Sequence, residues 1–116
     1  MSRLRILVAA GLLTVTFLAF AEDWPRWRGP DGTGVSRETE IATSWQTDAP
    51  KLAWQATGTG EGYSSVVTSG GVLITTGRVD GKVVCFALNS NTGKKNWETD
   101  IGETSRNVMS TPTIHD

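Results

Sequence analysis

The sequence predicts an all-β repeat fold of four-stranded antiparallel blades, a β-propeller of which about one and a half blades are present. Two observations carry this. From Lys51 onward, short β-branched or aromatic runs alternate with Gly, Asn and Asp turn signals, without helical periodicity. A weak repeat runs through the same region. Lys51-Leu52-Ala53-Trp54-Gln55 is echoed by Lys94-Lys95-Asn96-Trp97-Glu98, and Ser64-Ser65-Val66-Val67 by Ser110-Thr111-Pro112-Thr113. The offsets, about 43 and 46 positions, fit one blade per repeat.

Taken in order, residues 1–21 read as an export signal. Arg3 and Arg5 form a basic start, Ile6 to Phe20 is uncharged, and Ala19-Phe20-Ala21 is a small-x-small cleavage site. A membrane anchor fits less well, because a spanning helix needs about 20 apolar residues and this run is shorter and meets Glu22 and Asp23 at once. The expected location is the periplasm or outside the cell, with membrane contact only during export. No Cys ends the apolar run, which argues against a lipid anchor.

Residues 22–50 read as an extended strap. Asp23-Trp24-Pro25-Arg26-Trp27-Arg28-Gly29-Pro30 is an aromatic and basic knot, followed by the turn-rich Asp31-Gly32-Thr33-Gly34. Its Trp and Arg faces could stack on bases or sugars. In a chain of negative charge the plainer expectation is that the Trp rings plug a groove and the Arg side chains pair with nearby acids.

Residues 51–116 hold the repeats. Strands are expected at Lys51 to Thr57, Tyr63 to Thr68, Val72 to Thr76, Lys82 to Leu88 and Lys95 to Asp100, with Ser110 to Ile114 opening a further blade. Ser69-Gly70-Gly71 and Asn89 to Gly93 are turns, and Asp80-Gly81 is a type I′ hairpin signal. Sequential strands with tight connections make a meander.

Composition narrows the function. With 116 residues, 11 Lys plus Arg and 12 Asp plus Glu, the net charge of −1 gives no electrostatic case for non-specific nucleic-acid binding. A single Cys forms no internal disulfide and alone builds no zinc site. The 38% apolar content is low and partly spent on the first twenty residues, so the core is thin despite 5 Trp.

Tyr63-Ser64-Ser65-Val66-Val67, Gly70-Gly71-Val72-Leu73-Ile74 and Cys85-Phe86-Ala87-Leu88-Asn89-Ser90-Asn91-Thr92-Gly93-Lys94-Lys95-Asn96-Trp97 together resemble the PQQ-like, quinoprotein-type β-propeller repeat. Blades of that family commonly end in Ala-Leu-Asp-x-x-Thr-Gly-Lys-x-x-Trp. Asp23 to Pro30 also looks like the mature start of exported members. Asn89 takes the usual Asp position, keeping the turn-capping oxygen without the charge. The motif also has a physical reading. Thr92-Gly93 permits a tight reversal, and Trp97 can lie between neighbouring blades, with Trp54 at the matching place docking the adjoining one.

The resemblance implies two activities. Some members are PQQ-dependent dehydrogenases that oxidise alcohols or sugars with the quinone and calcium; others are non-enzymatic scaffolds. Such dehydrogenases use an adjacent Cys pair and metal ligands from several blades, whereas Cys85 stands alone. The chain therefore offers no catalytic, cofactor-binding or metal set. His115, the sole histidine, is read as placed by packing, and no Ser-His-Asp set is argued from it. Gly58-Thr59-Gly60-Glu61-Gly62 lacks dinucleotide spacing, Asn89, Asn91 and Gly93 lack the acidic ligands of a calcium loop, and Glu38/Glu40 and Glu98/Asp100 read as solvated charges. Tyr63 and Glu61 before one inner strand, and Arg106 and Asn107 before the next, are expected at the central funnel, where a protein or small-molecule ligand would bind. The first expectation is an exported binding or scaffold propeller; the alternative is the N-terminal part of a PQQ-dependent dehydrogenase. A closed propeller needs about four to eight blades, so the chain is expected to be a piece of a larger one. Alone, it is expected to fold poorly or to aggregate through open edges.

Overall fold

The computed structural model describes residues 21–47, 49–104, 106 and 111–115. Most of the predicted export signal, and with it Ser110 and Asn107, lies outside them. Among the described residues the secondary structure is all β. Strands β1 (Val67–Ser69), β2 (Val72–Val79), β3 (Lys82–Asn89) and β4 (Lys95–Glu103) form one four-stranded sheet in the order β1-β2-β3-β4, every pair antiparallel.

The turns set the register. Asp80 and Gly81 both have positive φ, 50° and 81°. This is the geometry of a two-residue hairpin whose twist matches that of its strands. Val79 therefore faces Lys82, and pairing runs unbroken to Val72 opposite Asn89. Gly70 and Gly71, at φ 56° and 80°, make the same kind of connection between Ser69 and Val72. The β3 to β4 turn is longer and relies on a side chain. Asn89 Oδ1 accepts the N–H groups of Asn91 and Thr92 at 3.0 and 3.1 Å, and the Asn89 carbonyl accepts from Gly93 at 2.8 Å. The amide oxygen alone thus suffices for this turn, and the charge of an Asp is dispensable.

Cα partners place Val67, Ile74, Ala87 and Trp97 in one row across the four strands, so their side chains share a face. Thr75, Phe86 and Glu98 form a row on the opposite face. The buried apolar residues are Val67, Phe86, Ala87 and Leu88. Three of these are consecutive in β3, so the central strand is covered on both faces. β4 is exposed along its whole length, and its outer edge carries Lys95, Glu98, Asp100 and Glu103 among its residues.

Several boundaries differ from the sequence reading. Lys51 to Thr57 is not a strand; Leu52 is 77% exposed, and the segment is held by the Trp54 side chain instead of a backbone ladder. The strand expected from Tyr63 to Thr68 is reduced to Val67–Ser69, because Ser65 donates its N–H to Thr111 Oγ1 (3.2 Å) and Val66 is half exposed. β2 runs further than expected because the tight turn carries pairing to Val79 opposite Lys82, and β3 gains Asn89 through its pairing with Val72. Residues 111–115 form no strand, although the Ile114 N–H donates to the Pro25 carbonyl at 2.9 Å.

The strap is tied to β1. Trp24 and Thr68 exchange both backbone hydrogen bonds, at 2.9 and 3.0 Å, and the Asp23 carboxylate accepts the Gly70 N–H. These contacts cover the otherwise open edge of β1. The Trp24 ring lies against Gly29, where a Cβ would approach it to 2.7 Å. Trp27, by contrast, is 66% exposed, with Arg28 over its ring at 5.5 Å from the centroid. Among the described residues, the expected pairing of Arg26 and Arg28 with acids is not seen. Arg26 donates to the Pro30 carbonyl at 2.7 Å, because the Gly29 turn brings that oxygen within its reach, and the strap's ion pairs are made by Arg37.

Candidate functional site

The best-built constellation is at the β3 to β4 turn. Gly93 has φ 70°, in the left-handed region that glycine tolerates without cost. Its lack of a side chain is used a second time, because the Trp54 ring occupies the space a Cβ would need, 2.3 Å from Cε3. The Trp54 indole N–H donates to the Ser90 carbonyl at 3.0 Å, so ring and polar end are both placed by the one turn. Thr92 takes part through its hydroxyl, which accepts the Lys94 N–H at 3.3 Å. Trp97 sits on the same row as Ala87 and is 47% exposed. Trp54, Thr92 and Gly93 thus come together at one turn. Trp97, on β4, leaves half of its surface open.

The residues expected near a funnel are placed differently from one another. Tyr63 is 73% exposed. Arg106 is exposed, with its backbone N–H on Thr104 Oγ1 at 3.1 Å. Glu61 is engaged elsewhere: it exchanges two backbone hydrogen bonds with Arg78 and forms an ion pair with it at 2.8 Å. Its carboxylate is therefore committed to the β2 flank.

This return of residues 59–61 alongside β2 was missed in the sequence. It depends on Gly77, where a Cβ would meet the Thr59 carbonyl oxygen at 2.0 Å. A glycine set in a β-branched run is the available signal, since it marks a close backbone approach.

His115 lines a cavity of about 460 Å³ with Glu22, Asp23, Arg26 and Ser69. Among the described residues no group of three or more His, Cys, Asp and Glu gathers to hold a metal. Cys85 lies in β3, where burial pushes its thiol pKa up and keeps the reactive thiolate scarce. At the β4 end, hydrogen bonds from Lys82 Nζ (2.7 Å) and the Gly102 N–H hold the Asp100 carboxyl below its ordinary range. Ser69 Oγ donates to Asp23 Oδ2 at 3.4 Å at the cavity that His115 lines, and elsewhere the described residues present a packing latch and exposed aromatic surface.

No family model matches the chain, and no curated protein and no solved structure matches it significantly. No helix among the described residues is long and apolar enough to cross a membrane.

Proposed function

We propose that the chain is part of an exported β-propeller repeat protein of the PQQ-like type, working as a binding or scaffold module. The observation that supports this is the seating of Trp54 on Gly93 and Ser90, with Trp97 standing one repeat later and half exposed. A tryptophan of one unit latches onto the Thr-Gly turn of the next, so Trp97 awaits the turn of a following unit. The small buried core and the exposed Trp97, Ile101, Tyr63 and Val66 fit a sheet whose faces are completed by neighbouring blades.

The test is Trp97→Ala against Trp97→Phe in the complete exported protein. Trp97→Ala lowers the melting temperature clearly and Trp97→Phe recovers part of the loss. Equal melting of all three proteins overturns the latch. The same protein is assayed with PQQ, calcium and an alcohol-driven dye: the scaffold reading expects no reduction, and turnover replaces it with the dehydrogenase.

A further inference from the structure

Among the described residues, the ties that hold the strap begin at Glu22, the residue directly after the predicted cleavage site. The Glu22 nitrogen donates to Glu38 Oε1 at 2.6 Å, Asp23 caps Gly70, and Trp24 pairs with Thr68, whereas Ala21 is exposed. Around that nitrogen stand the carboxylates of Glu22 and Glu38 and the guanidinium of Arg37, which is paired with both Asp31 and Glu22. Two carboxylates, Glu22 and Glu38, line this pocket with one cation, Arg37, which Asp31 also engages, while a neighbouring cavity that Glu22 shares is lined by Asp23, Arg26 and His115. The Glu22 side chain is 29% exposed, but its Oε2 atom is covered and has no hydrogen-bond partner among the described residues. The pocket therefore holds a surplus of negative charge around a backbone nitrogen that, in an uncut chain, is a neutral amide.

We propose that this is the seat of the mature N-terminus, in which the Glu22 α-ammonium is held by the Glu38 carboxylate. The proposal rests on the export reading above. The step is peptide hydrolysis by a membrane-bound endopeptidase. Water adds its oxygen to the Ala21 carbonyl carbon, the bond to the Glu22 nitrogen breaks, Ala21 leaves as a carboxylate, and the freed amine takes up protons. The new positive charge supplies the cation that the pocket lacks, turning a neutral donor into a charge-assisted one. Processing thus locks the strap onto β1 at the point where it is cut.

The complete protein is purified from the envelope of an exporting host, as wild type and as Glu38→Gln, and its first residue is read by N-terminal sequencing and intact mass. The terminal amine is then labelled by reductive methylation with ¹³C-formaldehyde and titrated by NMR. Both proteins are expected to begin at Glu22, with the wild-type amine titrating about one pKa unit above that of Glu38→Gln, the low end of what a contacting opposite charge produces. Arg37→Gln, which removes the competing cation, moves it up further. A chain beginning at Glu22 whose amine titrates alike with and without Glu38 overturns the seat and leaves export standing. A chain that keeps Met1, or is cut elsewhere, overturns both.

Discussion

The benzenoid ring of Trp54 lies on Gly93, so close that a Cβ there would stand 2.3 Å from Trp54 Cε3, while the indole N–H reaches the Ser90 carbonyl. One turn therefore serves two ends. It reverses β3 into β4, and it holds a segment more than 30 residues upstream, Trp54 and Ser90 being 36 positions apart.

Gly93→Ala is expected to cost about 2–4 kcal/mol, combining left-handed strain at φ 70° with the clash against Trp54. Urea unfolding of the complete protein measures it. In a double-mutant cycle Trp54→Ala relieves the clash but not the strain, so the two losses fall short of additivity. Additive losses would show that ring and turn are independent.

Gly77→Ala probes a different contact. Gly77 has no positive φ, so the expected damage comes only from the Thr59 carbonyl oxygen at 2.0 Å from the new Cβ. Residues 59–61 should detach from β2. Amide hydrogen exchange should quicken at Glu61 and Arg78, which donate to each other's carbonyls, while Phe86 in β3 keeps its protection. Unchanged exchange at Arg78 would count against the flank pairing.

Lys82 and Asp100 carry a pH dependence of known sign. Asp100 is lowered by the Lys82 hydrogen bond, so its contribution is present above the ordinary carboxylate range and lost as pH falls through the lowered value. Lys82 is raised by the same bond, so its share is present below the ordinary lysine range and lost as pH rises through the raised value. Both side chains are about half exposed, 55% and 45%, so the effect is small and screened by salt. In urea midpoints against pH at low ionic strength, Asp100→Asn should flatten the acid limb, and molar salt should do the same to the wild type. An acid limb unaltered by Asp100→Asn would place the dependence on other carboxylates.

Hairpins were legible in the sequence because their determinants are local. Asp80-Gly81 and Gly70-Gly71 announce positive φ by composition, and the β-branched runs on either side supply the strands. Asn89 was legible as a cap for the same reason: its oxygen serves N–H groups two and three residues away. Lys51 to Thr57 misled, because Leu52 and Trp54 alternate as a strand would, yet the ring finds its partner at a turn and the backbone finds no ladder. Arg26 and Arg28 misled because charge counting ignores the Pro30 carbonyl that Arg26 reaches and the Trp27 ring face under Arg28.

By itself the sequence determined the all-β character, the tight turns and the order of the strands, since each rests on φ preferences and side-chain alternation within a few residues. Only the tertiary structure decided what the glycines face, which tryptophan is covered, and that the strap closes the β1 edge through Trp24 and Thr68. Those facts depend on contacts such as Thr59 with Gly77, Trp54 with Gly93 and Trp24 with Thr68, 18 to 44 positions apart, and local pattern carries no information about which of many apolar or polar partners meets which. The Glu22 to Glu38 contact is of that kind as well: neither residue signals the other until the chain folds back and brings a backbone nitrogen to a carboxylate.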